Sequence, residues 1–599
     1  MKKFQGKQLQ KRGLGLLLTA AMLTGVLGGC GKAESDSAPA ADNAVKGGTS
    51  GNAGAANDAG ENFYEDAGES SYADVEAESG QYTDDVVSSA DMDDAYNSSA
   101  DRVSGGFARA EEKSMEYTPY DEYPLPEEYF VSPPDTEEYN ALEELGFMAA
   151  SVNPLSTFSA DVDTASYSNL RRMIEDGYGL QDIPEGAVRI EELLNYFHYD
   201  YVKPKKGEPF GVTTQIADCP WNANTKIAMI GLKTQDIDFS EAPASNLVFL
   251  LDVSGSMYSE DKLPLLQKSF SMLTENLTAK DRVSIVTYAG EDRVILEGVQ
   301  GTEQKEIIDA LDVLEAGGST AGSAGITTAY GIAEKYFIKG GNNRIILATD
   351  GDLNVGLTTE EELDMLISEK KESGVYLSVL GFGTGNIKDN KMEILADKGN
   401  GNYAYIDSLS EAKKVLVEEL GATFVTVAED VKFQVEFNPD VIAGYRLIGY
   451  ENRQLAEQDF ADDTKDAGEI GAGHSVTVLY EIVTTDAATT YAGTSLKYAD
   501  KKKLPDKEWF TVNIRYKKPN TSKSLLSSYP VDKADYKKEV SQDMQFAMAV
   551  AEFGLVVNDS SYKGDATMRT VIDRLKEIDT KSDEYKDEFC YLVRRLEKN

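Results

Sequence analysis

Apolar residues in the middle of the chain switch repeatedly between strand-like runs and helix-like spacing. The runs long enough for buried strands are residues 247–251, 283–288, 344–348, 375–381 and 403–406. The segments with helical spacing are residues 263–277, 307–314, 361–371, 392–396 and 412–420. Strands separated by helices predict an α/β fold with a doubly wound, mostly parallel sheet. In such sheets, ligands bind at the carboxyl ends of the strands.

The flanks of this central segment have a different pattern. Polar and apolar residues alternate in a strand-like manner on both sides of it, at residues 210–232, 431–437, 475–483 and 510–516. The pattern therefore predicts a β-rich domain that is built from both flanks and has the α/β domain inserted in it. Helical spacing at residues 167–173 and 190–197, and again through residues 532–599, predicts helical terminal segments. The methionine-containing stripe in the tail is expected to pack against the β-rich domain.

These patterns divide the chain into consecutive segments. The predicted segments are 1–29, a signal peptide; 30–150, an acidic disordered linker; 151–205, an N-terminal associated region; 206–243 and 426–520, the two parts of the β-rich domain; 244–425, the α/β domain; and 521–599, a C-terminal helical extension.

The N-terminus has the pattern of a secretory signal. A basic head is followed by a short apolar run at residues 13–27 and by Leu27-Gly28-Gly29-Cys30. This ending resembles a bacterial lipobox, which implies cleavage before Cys30 and attachment of lipid, such as palmitate, to that residue. The expected location is the extracytoplasmic face of the cell membrane, where acyl chains hold the protein. An ordinary signal peptide or a membrane anchor remains an alternative.

Charge and composition narrow the range of partners. The chain has 103 acidic and 59 basic residues, for a net charge of -44, which disfavours nucleic acid because its binding relies on Lys and Arg. Residues 31–130 contain 24 acidic and five basic residues without apolar periodicity, so we expect an extended spacer. Two His and three Cys are too few for His- or Cys-rich zinc and haem sites. Whether Cys219 and Cys590 pair is left open.

Three loops at predicted strand ends carry oxygen ligands. Asp252, Ser254 and Ser256 follow the first strand of the central segment, and Asp350 follows the third. Between them, the sequence Gly-Gly-Ser-Thr at residues 317–320 opens a helix and ends in Thr320. Hydroxyl and carboxylate oxygens suit a hard cation such as Mg²⁺.

This set of loops resembles the metal-ion-dependent adhesion site of von Willebrand factor type A (vWA) domains. The resemblance assigns to the metal the residues Asp252, Ser254, Ser256, Thr320 and Asp350, with Ser319 as an alternative to Thr320. It implies that the hydroxyls touch the metal directly, that the carboxylates act mostly through water, and that one position accepts a carboxylate from a protein partner. The cation would be Mg²⁺, or else Mn²⁺ or Ca²⁺.

The resemblance extends beyond the metal motif. The segments that resemble YfbK-type bacterial vWA proteins are residues 154–201, 219–222, 445–453 and 467–474, together with the central domain. We therefore expect a lipid-anchored vWA protein that binds a cation and, through it, a protein partner.

Two other function classes remain as alternatives. One is a structural envelope or assembly protein that uses the vWA fold without metal; the other is a metal-dependent hydrolase. The chain lacks a Gly-x-x-x-x-Gly-Lys-Ser/Thr loop, and His198 and His474 are expected to be surface or packing residues. No catalytic residue is assigned, and the protein is predicted not to be an enzyme.

Overall fold

The structure is a computed structural model that describes residues 136–160, 163–236, 242–318, 323–351, 360–371, 373–419, 425–465, 467–487, 508–519 and 521–598. The predicted signal peptide, Cys30, most of the acidic linker and the predicted ligand Thr320 lie outside these residues. Within the described part of the chain, no helix combines the length and the apolar character that crossing a membrane requires.

The N-terminal segment contributes four strands and two helices. These are β1 (Met148–Ala149), β2 (Leu155–Ser159), α1 (Ala165–Glu175), α2 (Ile190–Asn195), β3 (Phe210–Asp218) and β4 (Lys226–Thr234).

The central segment alternates strands and helices. Its strands are β5 (Ser245–Asp252), β6 (Arg282–Ala289), β7 (Glu291–Gln300), β8 (Asn342–Thr349), β9 (Tyr376–Phe382) and β10 (Tyr403–Ile406). Its helices are α3 (Leu263–Thr274), α4 (Gln304–Asp312), α5 (Ser323–Lys335), α6 (Glu360–Lys371), α7 (Asp389–Lys398) and α8 (Leu409–Lys413), the last continued by a π turn over Lys414–Glu418.

The C-terminal segment begins with strands and ends with helices. The strands are β11 (Thr426–Phe437), β12 (Ile442–Ile448), β13 (Ile470–Gly471), β14 (Ser475–Thr484), β15 (Glu508–Lys517) and β16 (Ser524–Asp532). The helices are α9 (Gln542–Val557), α10 (Met568–Leu575) and α11 (Glu584–Leu596).

The central strands form one sheet in the order β10-β9-β8-β5-β6-β7. All neighbours are parallel except β7, which runs antiparallel to β6 at the edge. Alternate residues of β5 point to opposite faces: Val248 and Leu250 join one apolar core, whereas Phe249 and Leu251 join the other, together with Phe270 of α3. Helices thus cover both faces, as in a doubly wound fold.

The flanking strands form two further sheets. One has the order β1-β12-β14-β4-β3, and the other has the order β13-β11-β15-β16 with β2 paired to β11. Each sheet contains strands from before and after the central segment. The predicted fold class is therefore confirmed: a mostly parallel α/β sheet inserted in a β-rich domain, with helical segments near both ends.

The sheet that contains β4 and β14 is buried on both faces. Ile230 and Val478 face the second β-sheet across a shared apolar core, whereas Met229 and Leu479 face the helices α1, α2 and α9–α11. The tail helices therefore pack on this sheet, as expected. Cys219 and Cys590 lie in the same helical core as buried free thiols, so they do not pair.

Candidate metal site at the rim of the central sheet

The first site loop begins where the central strand β5 ends. Asp252, the last residue of β5, is fully buried, because neighbouring strands flank β5 on both sides. Its Oδ1 accepts a hydrogen bond from the backbone N–H of Ser254 at 2.8 Å, and its Oδ2 accepts one from the hydroxyl of Thr349 at 3.2 Å. The carboxylate is therefore fixed in orientation at the carboxyl end of the sheet.

Two hydroxyls of this loop lie side by side. The Oγ atoms of Ser254 and Ser256 are 2.9 Å apart, with Ser254 buried and Ser256 exposed. The loop then enters a short 3-10 helix over Gly255–Tyr258. The two side chains thus form an oxygen pair that opens to solvent on one side, which is the arrangement a cation with an external ligand needs.

The second loop is bound to the first by backbone hydrogen bonds. The N–H of Gly317 donates to the carbonyl of Val253 at 2.8 Å, and the N–H of Gly255 donates to the carbonyl of Gly318 at 3.2 Å. Gly318 has a φ of +86°, a conformation that favours glycine. The chain is thereby held beside the serine pair up to residue 318, and the predicted ligand Thr320 lies beyond the described residues.

The third loop meets the first because β8 and β5 are parallel neighbours. Leu251 pairs with Ala348, so the next residues, Asp252 and Thr349, face each other at the strand ends. The hydroxyl of Thr349 donates to Asp252 and accepts the N–H of Gly351 at 3.2 Å. This places Asp350 at the same rim as Asp252, as the motif predicts.

Asp350 has a partner that the sequence analysis did not identify. The ammonium of Lys262 lies 2.9 Å from Oδ2 of Asp350, and both side chains are buried. Lys262 immediately precedes α3 and is therefore close to the first loop in sequence. In the sequence, Lys262 is recognisable only as a lysine that precedes an apolar helix. That position alone indicates an exposed lysine and does not indicate a contact with Asp350.

The electrostatic environment disfavours a bare negative charge. Burial raises the pKa of Asp252 to about 6, the hydrogen bonds from Ser254 lower it, and the negative charge of Asp350 raises it further. Two nearby carboxylates with little access to water are stabilised when a cation lies between them or beside them. In this structure Lys262 supplies one positive charge.

The donor set suits a hard cation. It combines hydroxyl and carboxylate oxygens, the ligand types that Mg²⁺ prefers. Among the described residues, no group of three or more His, Cys, Asp and Glu side chains is placed to hold a metal. A metal at this rim would therefore depend on the serine hydroxyls as well as on Asp252 and Asp350.

Comparison with known families and proteins agrees with this architecture. The family described as von Willebrand factor type A domain matches residues 246–419, and the family described as von Willebrand factor matches residues 133–229. The family described as Uncharacterized protein YfbK, C-terminal, matches residues 422–598.

Individual relatives were also found. Uncharacterized protein YfbK of Escherichia coli is 42% identical over 452 residues, which cover 74% of this chain and 77% of that protein. The magnesium-chelatase 67 kDa subunit of Chlorobaculum parvum is 24% identical, covering 38% of this chain and 44% of that protein. A solved von Willebrand factor type A structure from Catenulispora acidiphila is 15% identical, covers 66% of this chain and 91% of that chain, and has a TM-score of 0.38. This chain therefore belongs to the YfbK family of von Willebrand factor type A proteins.

Proposed function

We propose that this protein binds a divalent cation, Mg²⁺ in the first instance, at the rim of its vWA sheet and uses it to hold a carboxylate of a protein partner. The proposed ligands are Asp252, Ser254, Ser256, Thr320 and Asp350. The observation that carries the proposal is the Ser254–Ser256 hydroxyl pair, with 2.9 Å between its oxygens, beside the buried carboxylate of Asp252. Ser256 is exposed, which leaves a side from which a partner can approach.

The cation is tested by thermal melting with and without MgCl₂. We expect Mg²⁺ to raise the melting temperature of the wild-type protein, because a ligand that binds only the folded state stabilises it. Asp252→Ala and Ser254→Ala should abolish this rise. Asp309→Ala, which removes an exposed carboxylate of α4, should keep it. A rise that is equal in Asp252→Ala and wild type would contradict binding at this site.

The partner is tested by retention on immobilised protein. Membrane proteins that bind through the cation should be retained in Mg²⁺, released by EDTA and absent from the Asp252→Ala column. Mass spectrometry of the EDTA eluate would identify them. Retention that resists EDTA and survives Asp252→Ala would mean that partners bind elsewhere.

We further propose that lipid on Cys30 anchors the protein at the extracytoplasmic face of the membrane. Support comes from the Leu-Gly-Gly-Cys sequence at residues 27–30 and from its basic and apolar leader. The wild-type protein should enter the detergent phase on Triton X-114 partition, whereas Cys30→Ser should remain in the aqueous phase. Equal partition of the two would contradict a lipid anchor.

One observation favours a second candidate function, that of a structural envelope protein that uses the fold without metal. The ion pair between Lys262 and Asp350 neutralises one rim carboxylate with the chain's own ammonium. A protein of this kind would show no Mg²⁺-dependent change in melting temperature and no EDTA-sensitive partner.

A further inference from the structure

Lys262 is held against the candidate site from several directions. Its backbone N–H donates to the carbonyl of Ser259 at 3.0 Å, and its carbonyl accepts the N–H of Leu266 at 2.8 Å in the first turn of α3. Its ammonium lies 2.9 Å from Oδ2 of Asp350. The lysine is therefore anchored at both its backbone and its charged end.

Gly383 leaves room for this side chain. A Cβ atom built on Gly383 would lie 2.3 Å from both Cγ and Cε of Lys262. Gly383 follows the neighbouring strand β9, so the lysine stem crosses the rim of the sheet to reach Asp350. A side chain at position 383 would therefore have to displace the stem of Lys262 from the position that it occupies.

The charge balance at Asp350 has a consequence for metal binding. The side chains of Lys262 and Asp350 are 9% and 0% exposed, so water screens the pair weakly. A divalent cation that binds Asp350 meets an ammonium already bound to the same carboxylate. The two cations repel each other and share one acceptor, and each therefore weakens the binding of the other.

We propose that the ammonium of Lys262 competes with the divalent ion for the carboxylate of Asp350. This competition sets the affinity of the site for the divalent ion. The proposal rests on the proposed cation site and adds the residue that tunes it. With no metal bound, Lys262 holds Asp350 in place and neutralises it. When the metal binds, the contact between the ammonium and the carboxylate is given up or weakened.

The test is isothermal titration of the full-length protein with MgCl₂. Lys262→Met keeps the length and the apolar stem of the side chain but removes the charge. We expect its dissociation constant for Mg²⁺ to be lower than that of the wild type by about tenfold or more, since removing one partner leaves the other charge buried and uncompensated. The double variant Asp252→Ala/Lys262→Met should bind no Mg²⁺. This result would show that the increase in Mg²⁺ affinity arises at this site.

A matched control removes a buried ammonium elsewhere in the same domain. Lys414 is 1% exposed and pairs with Glu419 in the turn that follows α8. Lys414→Met should leave the Mg²⁺ affinity unchanged. If Lys262→Met fails to fold without metal, Lys262→Gln replaces it, and a larger Mg²⁺-induced rise in melting temperature than in wild type is the supporting result.

The outcomes separate this inference from the proposed function. If the wild type binds Mg²⁺ and both Lys262 variants bind it with equal or lower affinity, the role of Lys262 is overturned. The proposed cation site is retained in that case. Tighter binding in the Lys262 variants supports the inference, including the case in which the wild type binds too weakly to measure. No binding by any of these proteins would overturn both.

Discussion

Arg189 and Asp389 form a buried ion pair, with 2.6 Å between Nη1 of the arginine and Oδ2 of the aspartate. Arg189 precedes α2 in the N-terminal segment, whereas Asp389 begins α7 of the vWA domain. Asp389, Glu393 and Asp397 are spaced four residues apart and so share one face of α7. Arg453, which follows β12, contacts Glu393 at 2.9 Å and also contacts Asp397. Arginines from both flanks therefore hold one helix of the inserted domain.

Replacing Arg189 with methionine should destabilise the protein strongly. The change leaves Asp389 and Glu192 buried without their cation, and breaking a buried pair in this way costs about 3–5 kcal/mol. The measurement is urea unfolding followed by circular dichroism. Lys305→Met, which removes an exposed ion pair with Asp309, should change the unfolding midpoint little. Similar midpoints for the two variants would show that the Arg189 pair does not stabilise the fold.

Glu191 should make stability fall as the pH rises. Its carboxyl is buried, and its Oε2 accepts no hydrogen bond from the described residues. Burial raises the pKa of Glu191 to about 8, and the negative charges of Glu451 and Glu192 add to the effect. The ordinary pKa, which applies to the unfolded chain, is about 4.3. The folded state therefore holds the proton more tightly, and stability decreases as the pH rises from about 4.3 to about 8.

The isosteric change Glu191→Gln should remove this dependence. Between about pH 4.3 and about pH 8, the variant should become more stable relative to the wild type as the pH rises. The difference in unfolding free energy should grow by up to about 1.4 kcal/mol per pH unit. Urea unfolding at about pH 5 and about pH 8 measures it. Glu306→Gln, at an exposed position in α4, should keep the wild-type slope. A constant difference between Glu191→Gln and wild type would mean that Glu191 is ionised throughout.

The parallel strands of the central sheet could be predicted because each carries a run of buried apolar residues. Every residue of β5 and of β8 is buried, and both were expected from the sequence. The edge strand β7 was not expected, because most of its residues face solvent and its apolar run, residues 294–296, is only three residues long. The exposed β16 was missed for the same reason, since its pairing with β15 is what makes it a strand.

In the candidate site, too, the residues given by a local motif could be predicted, whereas a contact between distant residues could not. Asp252, Ser254 and Ser256 follow from a short motif, and the placement of Asp350 follows from the parallel strand order. The contact of Lys262 with Asp350 joins residues 88 positions apart and depends on the space above Gly383. No local pattern encodes such a contact, because it arises only after two loops have been brought together by the sheet.

The thiols of Cys219 and Cys590 should be unreactive in the folded protein. Both are buried; burial raises the pKa of Cys219 to about 12 and raises that of Cys590 as well, whereas the reactive form is the thiolate. In a Cys30→Ser background, Ellman's reagent should detect almost no thiol within minutes and should detect both after unfolding in guanidinium. Detection of neither thiol in guanidinium without reductant would mean that the two cysteines are linked.

The same substitution at two glycines should have opposite effects. Gly231 lies in β4 beneath the ring of Tyr201, and a Cβ atom there would lie 2.4 Å from two ring carbons, so Gly231→Ala should cost about 1–3 kcal/mol through overpacking. Gly331 lies within α5 with open space around its Cβ position, so Gly331→Ala should stabilise the protein by about 0.5–1 kcal/mol through higher helix propensity. Urea unfolding of both variants beside the wild type measures the two shifts. A Gly231→Ala variant as stable as the wild type would contradict the packing of Tyr201 against β4, whereas a destabilised Gly331→Ala variant would contradict the open space around α5.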